Sequence, residues 1–335
     1  MKNKIGVLGA GTWGMALARM LCVSGHDVEV WSALPEEIEQ LSATRRQVNL
    51  PDMVIPDEIR FTYSIGEACS GKDILLFAVP SVYVRETSRA AAPFIKEGQV
   101  IVDVAKGIEP DTLMTMTEII LSEMEVKVFA VALSGPTHAE EVAKDLPTTI
   151  VAAHEDIIVA EKVQVVFSNP VMRVYTNTDV KGIELCGALK NIMALASGIA
   201  MGLGYGDNTK AAIITRGLAE IQRLGLKMGC RQETFAGLAG MGDLIVTATS
   251  LHSRNNRCGY LIGQGRTPEE AVKEVGMVVE GINAIPAALE LADRYEVEMP
   301  IAEAVDGIIN HGRDPRAVVR ELMGRDSKTE FPRKL

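Results

Sequence analysis

A glycine turn at the start of the chain constrains all that follows it. The apolar run Ile5-Gly6-Val7-Leu8 ends in Gly9-Ala10-Gly11-Thr12-Trp13-Gly14 and feeds directly into Met15-Ala16-Leu17-Ala18-Arg19-Met20-Leu21. That order reads as strand, tight turn and helix, with Gly9, Gly11 and Gly14 in the G-x-G-x-x-G spacing. Gly9 permits the turn, Gly11 lets backbone approach a pyrophosphate, and Gly14 lets helix pack on strand. The helix N-terminus adds free N–H groups and a positive dipole end. The spacing alone is a weak signal. Its place between a strand and a helix, at the head of a long alternating chain, makes dinucleotide binding the expectation. The competing reading is a turn that only packs helix on sheet.

The chain has 335 residues, more than one core usually serves, so two domains are expected. Hydrophobic residues are 47% and aromatics only 4%, so the core must be aliphatic and alanine-rich. A net charge of −10 argues against nucleic acid or an anionic membrane as partner. It also means that an anion site must gather the few basic residues, which makes well-placed Lys and Arg informative. Cys22, Cys69, Cys186, Cys230 and Cys258 are scattered without a C-x-x-C, so neither a metal site nor a disulfide framework is expected, and a reducing cytoplasm fits. The chain enters a strand at once, so no signal peptide is expected. The most apolar stretch, Ile192 to Leu203, is too short for membrane insertion.

After the first helix, Asp27-Val28-Glu29-Val30-Trp31 reads as a second strand. The loop beyond it normally receives the adenine ribose, with an acidic residue favouring NAD and an arginine favouring NADP. Ser32-Ala33-Leu34-Pro35 offers neither, and Arg45 and Arg46 lie a helix later, so cofactor choice stays open between NAD and NADP. Further strands are expected at 73–80, 100–104, 126–133, 148–153 and 172–176. Helices are expected at 65–70, after a cap at Ser81, from Pro110, and at 156–167. This alternation predicts a mostly parallel, doubly wound (Rossmann) α/β sheet over residues 1–179. From Val180 only helical patterns remain, so residues 180–335 are expected to form an all-α second domain, with a polar tail from Gly324 to Leu335 that frays.

Ligands of open α/β sheets bind at the carboxyl ends of the strands. Two such ends carry chemistry here. Ala105-Lys106-Gly107 places an ammonium just past a buried strand, where a surface lysine is the bland alternative. Ser134-Gly135-Pro136-Thr137 offers N–H groups and hydroxyls, with Thr137 as a helix N-cap in the bland reading. The helix Gly182 to Gly202 is apolar nearly all round and should be buried, yet it holds Lys190 and Asn191. A buried lysine costs several kcal/mol unless paired, and burial brings its pKa toward the range of a general acid or base. The alternative is a lysine that snorkels from a narrow exposed strip. A third cluster is Gly240-Met241-Gly242-Asp243-Leu244, then Thr247, then Ser253-Arg254-Asn255-Asn256. Its Arg254 suits a phosphate, since a guanidinium binds oxyanions as a fixed fork; a surface ion pair is the alternative.

Together these motifs resemble the bacterial NAD(P)-dependent glycerol-3-phosphate dehydrogenases over essentially the whole chain. The resemblance rests on the glycine turn, Ala105-Lys106-Gly107-Ile108-Glu109, Leu133-Ser134-Gly135-Pro136-Thr137-His138-Ala139-Glu140-Glu141-Val142 and Gly187-Ala188-Leu189-Lys190-Asn191. Gly237-Leu238-Ala239-Gly240-Met241-Gly242-Asp243-Leu244, Ser253-Arg254-Asn255 and Val279-Glu280-Gly281 complete it. It implies reduction of dihydroxyacetone phosphate to sn-glycerol 3-phosphate by NADH or NADPH, which supplies glycerophospholipid synthesis. It implies Lys190 as the catalytic proton-transfer residue. It assigns the substrate to Lys106, Gly135, Thr137, Lys190, Asp243, Ser253, Arg254 and Asn255. It assigns the cofactor to Gly9, Gly11, Thr12, Trp13, Gly14, Lys106, Ala139, Arg254, Val278 and Glu280. No metal is implied. A homodimer through the helical half is an expectation by analogy.

The chain departs from the family pattern at two places. The basic residue often found after the second strand is missing at Ser32-Ala33-Leu34, and Asn49-Leu50-Pro51-Asp52 is an abbreviated loop. Both touch the cofactor end rather than the chemistry. Two rivals follow from the residues. One is another dehydrogenase of the same architecture, acting on a 3-hydroxy acid or a nucleotide sugar; oxidation of a sugar alcohol to an acid would use a cysteine nucleophile, for which Cys186 lies four residues before Lys190, though a small core residue is its bland reading. A non-enzymatic nicotinamide sensor would need the glycine turn but not Lys106, Lys190 and Arg254 together.

Overall fold

The computed structural model describes residues 2–327, 329 and 330; of the polar tail, positions 328 and 331–335 lie outside the described residues. Eight strands form one sheet: β1 (Lys4–Leu8), β2 (Asp27–Trp31), β3 (Arg60–Thr62), β4 (Ile74–Phe77), β5 (Val100–Asp103), β6 (Phe129–Ser134), β7 (Thr148–Ala153) and β8 (Met172–Asn177). Their order is β3-β2-β1-β4-β5-β6-β7-β8. Every pairing is parallel except β6 with β7. Strand order reverses between β1 and β4, which opens a crevice at their carboxyl ends.

Helices α1 (Thr12–Val23), α2 (Pro35–Thr44), α3 (Ile65–Cys69), α4 (Val84–Ala91), α5 (Met116–Ser122), α6 (Ala139–Val142) and α7 (Ile157–Phe167) link these strands. Beyond β8 the described elements are helical: α8 (Val180–Gly202), α9 (Asp207–Lys227), α10 (Gln232–Phe235), α11 (Asp243–Thr249) and α12 (Arg254–Gly263). The series ends with α13 (Pro268–Val275), α14 (Glu280–Arg294), α15 (Pro300–Ile309) and α16 (Pro315–Met323). The central strands are continuous apolar runs because helices cover both faces. Helix α8 is apolar all round because α9, α11, α12 and α14 surround it. By length and composition α8 could cross a membrane, unlike the shorter stretch read from sequence, but 83% of its apolar window is buried inside the protein.

Three local expectations fail for identifiable reasons. The helix expected from Pro110 begins at Met116, where Thr115 and Glu118 form a capping box. Leu113 before it adopts a left-handed conformation, and Ile108 bridges to Thr115. Ser81 does not cap α4; it opens a short 3-10 turn, and its hydroxyl donates to Glu280 instead. Thr137 does not cap α6, whose N-cap position is His138; the Thr137 hydroxyl bonds the Gly135 carbonyl.

Candidate functional site

The glycine turn closes on the crevice. Gly9 has φ +121°, a left-handed conformation that favours glycine, and a Cβ there would lie 2.7 Å from the Ala78 backbone just past β4. A Cβ on Gly14 would strike the Gly9 carbonyl at 2.1 Å, so α1 packs directly on the turn. Gly11 differs: apart from its chain neighbours, no atom of the described residues lies within 4 Å of where its side chain would begin. It caps α1 without a side-chain bond, and the Thr12 hydroxyl is buried with no hydrogen-bond partner among the described residues. An open helix N-terminus beside an orphaned hydroxyl fits a dinucleotide pyrophosphate. Trp13 follows, half-buried.

The charged centre lies where the strand ends meet α8. Lys106, three residues past β5, donates from Nζ to the Gly135 carbonyl at 3.0 Å and to Thr137 Oγ1 at 3.1 Å. The same ammonium is 2.6 Å from Asp243 Oδ2. Lys190, mid-way along α8, lies 2.9 Å from Asp243 Oδ1 and donates to Thr247 Oγ1 at 2.6 Å. Thr247 in turn donates to the Asp243 carbonyl at 2.6 Å. Asp243 is 1% exposed and opens α11, directly after a π-helical turn over Leu238–Gly242. Such turns break helix register and often aim a side chain at a site.

Lys190 is 5% exposed, which rules out a snorkelling surface lysine. Burial lowers its pKa to about 8; Asp243 opposes the shift, while the positive charges of Lys106 and Arg254 add to it. The ammonium is thereby poised to release and regain a proton near neutral pH.

The α12 N-terminus forms the third wall. Ser253 caps it, its Oγ accepting from the Asn256 N–H. Asn255 accepts the Gly281 N–H at 2.8 Å and donates to Asn191 Oδ1 at 3.0 Å, so it ties α8, α12 and α14 together. Arg254 is exposed and donates to the Val278 carbonyl at 3.3 Å, which rules out the surface ion pair among the described residues. Glu280 accepts from both the backbone N–H and the hydroxyl of Ser81, at 2.9 and 2.5 Å, and so joins α14 to the end of β4. Ala139 is buried at the start of α6.

The model of the NAD-dependent glycerol-3-phosphate dehydrogenase N-terminus matches residues 4–160, and that of the C-terminus matches 179–320. The chain belongs to the NAD-dependent glycerol-3-phosphate dehydrogenase family. A glycerol-3-phosphate dehydrogenase [NAD(P)+] 2 of Lactobacillus delbrueckii subsp. bulgaricus is 69% identical, covering 98% of this chain and 99% of its own. The Bacillus subtilis glycerol-3-phosphate dehydrogenase [NAD(P)+] is 48% identical, over 98% and 96%. The crystal structure of glycerol-3-phosphate dehydrogenase from Coxiella burnetii superposes with a TM-score of 0.92 at 35% identity, covering 97% of this chain and 99% of that one.

Two side-chain pairings in this cluster were not read from the sequence. Thr247 stands four residues after Asp243, one helical turn on, a spacing that could have paired them. Ser81 meets Glu280 across 199 positions, which no local pattern reveals. Cys186 is 1% exposed, and burial pushes its thiol well above the usual range. It is a core residue and not a nucleophile.

Proposed function

We propose that this chain reduces dihydroxyacetone phosphate to sn-glycerol 3-phosphate with a reduced nicotinamide dinucleotide, reversibly, and so supplies glycerophospholipid synthesis. The observation that carries the reading is that Lys106 and Lys190 meet on the carboxylate of Asp243, with Arg254 near enough for its charge to act on Lys190, in a chain of net charge −10. Three cations there suit a phosphate monoester dianion.

In this reading Gly9, Gly11, Thr12, Trp13, Gly14, Lys106, Ala139, Arg254, Val278 and Glu280 would hold the dinucleotide. The bound nicotinamide supplies the hydride. Lys190 gives its proton to the ketone oxygen as charge develops there and takes it back in the reverse direction. Asp243 holds Lys190 and Lys106 apart and aimed, and Thr247 fixes the Lys190 rotamer by accepting from Nζ. Lys106 polarises the reacting end, with Gly135 and Thr137 orienting it. Ser253, Arg254 and Asn255 take the phosphate end.

The division of labour is between a cofactor half, residues 1–179, and a substrate half, 180–335. The reading includes a cytoplasmic homodimer, which sedimentation velocity would test. The deciding assay is loss of reduced-nicotinamide absorbance with dihydroxyacetone phosphate, run with NADH and with NADPH. Rapid loss with at least one is expected. No loss with either, in protein that still binds a dinucleotide, overturns the reading in favour of another hydroxy-acid dehydrogenase or a sensor.

A further inference from the structure

In a doubly wound sheet the adenosine ribose is read at the end of the second strand, where a carboxylate accepts the 2′-hydroxyl and an arginine accommodates a 2′-phosphate. Here β2 ends at Trp31, and Ser32-Ala33-Leu34 carries no charge. The fold supplies one from further along. The Ser32 hydroxyl donates to Glu37 Oε2 at 2.5 Å, and the Leu34 N–H donates to Ser32 Oγ at 3.2 Å. Ser32 is buried, so the loop wraps around it and draws the first turn of α2 against the end of β2. Glu37 is half-buried, and its second carboxylate oxygen makes no hydrogen bond among the described residues.

We propose that Glu37 is the residue that selects NADH over NADPH in this chain. The inference rests on the dinucleotide-binding reading above. The free Glu37 oxygen can accept a ribose hydroxyl. A 2′-phosphate, with a charge of about −1.5 to −2 near neutral pH, would meet a fixed carboxylate instead. The surroundings reinforce the discrimination. Glu36 adds a second negative charge to the same turn, and Pro35 at the first helical position removes an N–H that a phosphate could use. The basic residues that follow are committed to another loop. Arg45 donates to the Ile59 carbonyl at 2.7 Å and lies over the Phe61 ring at 5.0 Å, and Arg46 donates to the Pro51 carbonyl at 3.0 Å.

The test is direct titration of the full-length protein with NADH and with NADPH, following nicotinamide fluorescence at fixed ionic strength, beside reduction rates with each. The expected Kd for NADPH exceeds that for NADH by at least about tenfold. Glu37→Gln keeps an acceptor for Ser32 and removes the charge, so the ratio should narrow by at least about threefold through tighter NADPH binding. Glu37→Ser provides the same comparison should the first variant fold poorly. Equal or tighter binding of NADPH by the parent protein, or an unchanged ratio in the folded variants, overturns the inference and leaves the dehydrogenase reading intact. Binding of neither dinucleotide overturns both.

Discussion

Lys190 and Asp243 meet at 2.9 Å in a pocket where neither is more than 5% exposed. The other Asp243 oxygen holds Lys106 at 2.6 Å, so one carboxylate serves two ammonium groups. Burial alone would favour a neutral Lys190; the shared carboxylate offsets part of that, and the outcome is a pKa of about 8. Removing Asp243 would leave two unpaired ammonium groups in the site, at a cost of about 3–5 kcal/mol by analogy with broken buried pairs.

The poised ammonium has a directional pH signature. Reduction needs the protonated form, so kcat/KM for dihydroxyacetone phosphate should fall as pH rises through about 8. Oxidation of glycerol 3-phosphate needs the neutral amine and should rise over the same interval. Lys190→Met should bind NADH with near-normal Kd while kcat drops by about a hundred- to ten-thousand-fold. Wild-type rates in that variant would remove Lys190 from its role.

Arg254 is exposed, bonded to the Val278 carbonyl and carries no acidic partner among the described residues. Arg254→Ala should therefore cost little stability. It should raise KM for dihydroxyacetone phosphate by about ten- to a hundred-fold, the worth of a charge-assisted hydrogen bond to phosphate. Unphosphorylated dihydroxyacetone should be a poor substrate of the parent enzyme and indifferent to the change. Equal turnover of both substrates by the parent would remove the phosphate-grip role.

Cys186 lies one helical turn from Lys190 but is sealed in the core. Cys186→Ala should keep turnover close to that of the parent and lose about 1 kcal/mol of stability, read from the urea midpoint. A collapse of activity in a protein with a normal midpoint would revive a thiol mechanism.

Glu220 in α9 accepts the Ile301 N–H at 2.9 Å and the Ala302 N–H at 3.4 Å at the start of α15. Burial pushes its carboxyl up to about 7, against the lowering effect of those two bonds. The unfolded chain releases that proton near the ordinary carboxyl range, so the group contributes fully below about 4 and its contribution is lost as pH rises through 7. Stability should therefore decline between pH 5 and 8 by up to a few kcal/mol from this group alone. Glu220→Gln keeps an acceptor and should flatten that decline, as thermal midpoints across the interval would report. An equal slope in both proteins would contradict it.

Much of this site was legible along the chain. The glycine turn, the strand-end Lys106 and the all-apolar helix around Lys190 follow from periodicity and spacing, because each is a local pattern: a tight turn, a buried parallel strand, a fully packed helix. The sequence by itself thus determined the doubly wound sheet, the ends of its strands where ligands gather, and the residue types available there. Only the tertiary structure decided which charges meet. Asp243 reaches Lys106 across 137 positions, Glu280 reaches Ser81 across 199, and Glu37 reaches back to Ser32 through a loop with no charge of its own. The physical reason is that a side chain's pKa, its pairing and the ligand it can select depend on burial and on neighbours brought from distant elements. Those neighbours are set by how helices pack on the sheet, not by the order of residues in either.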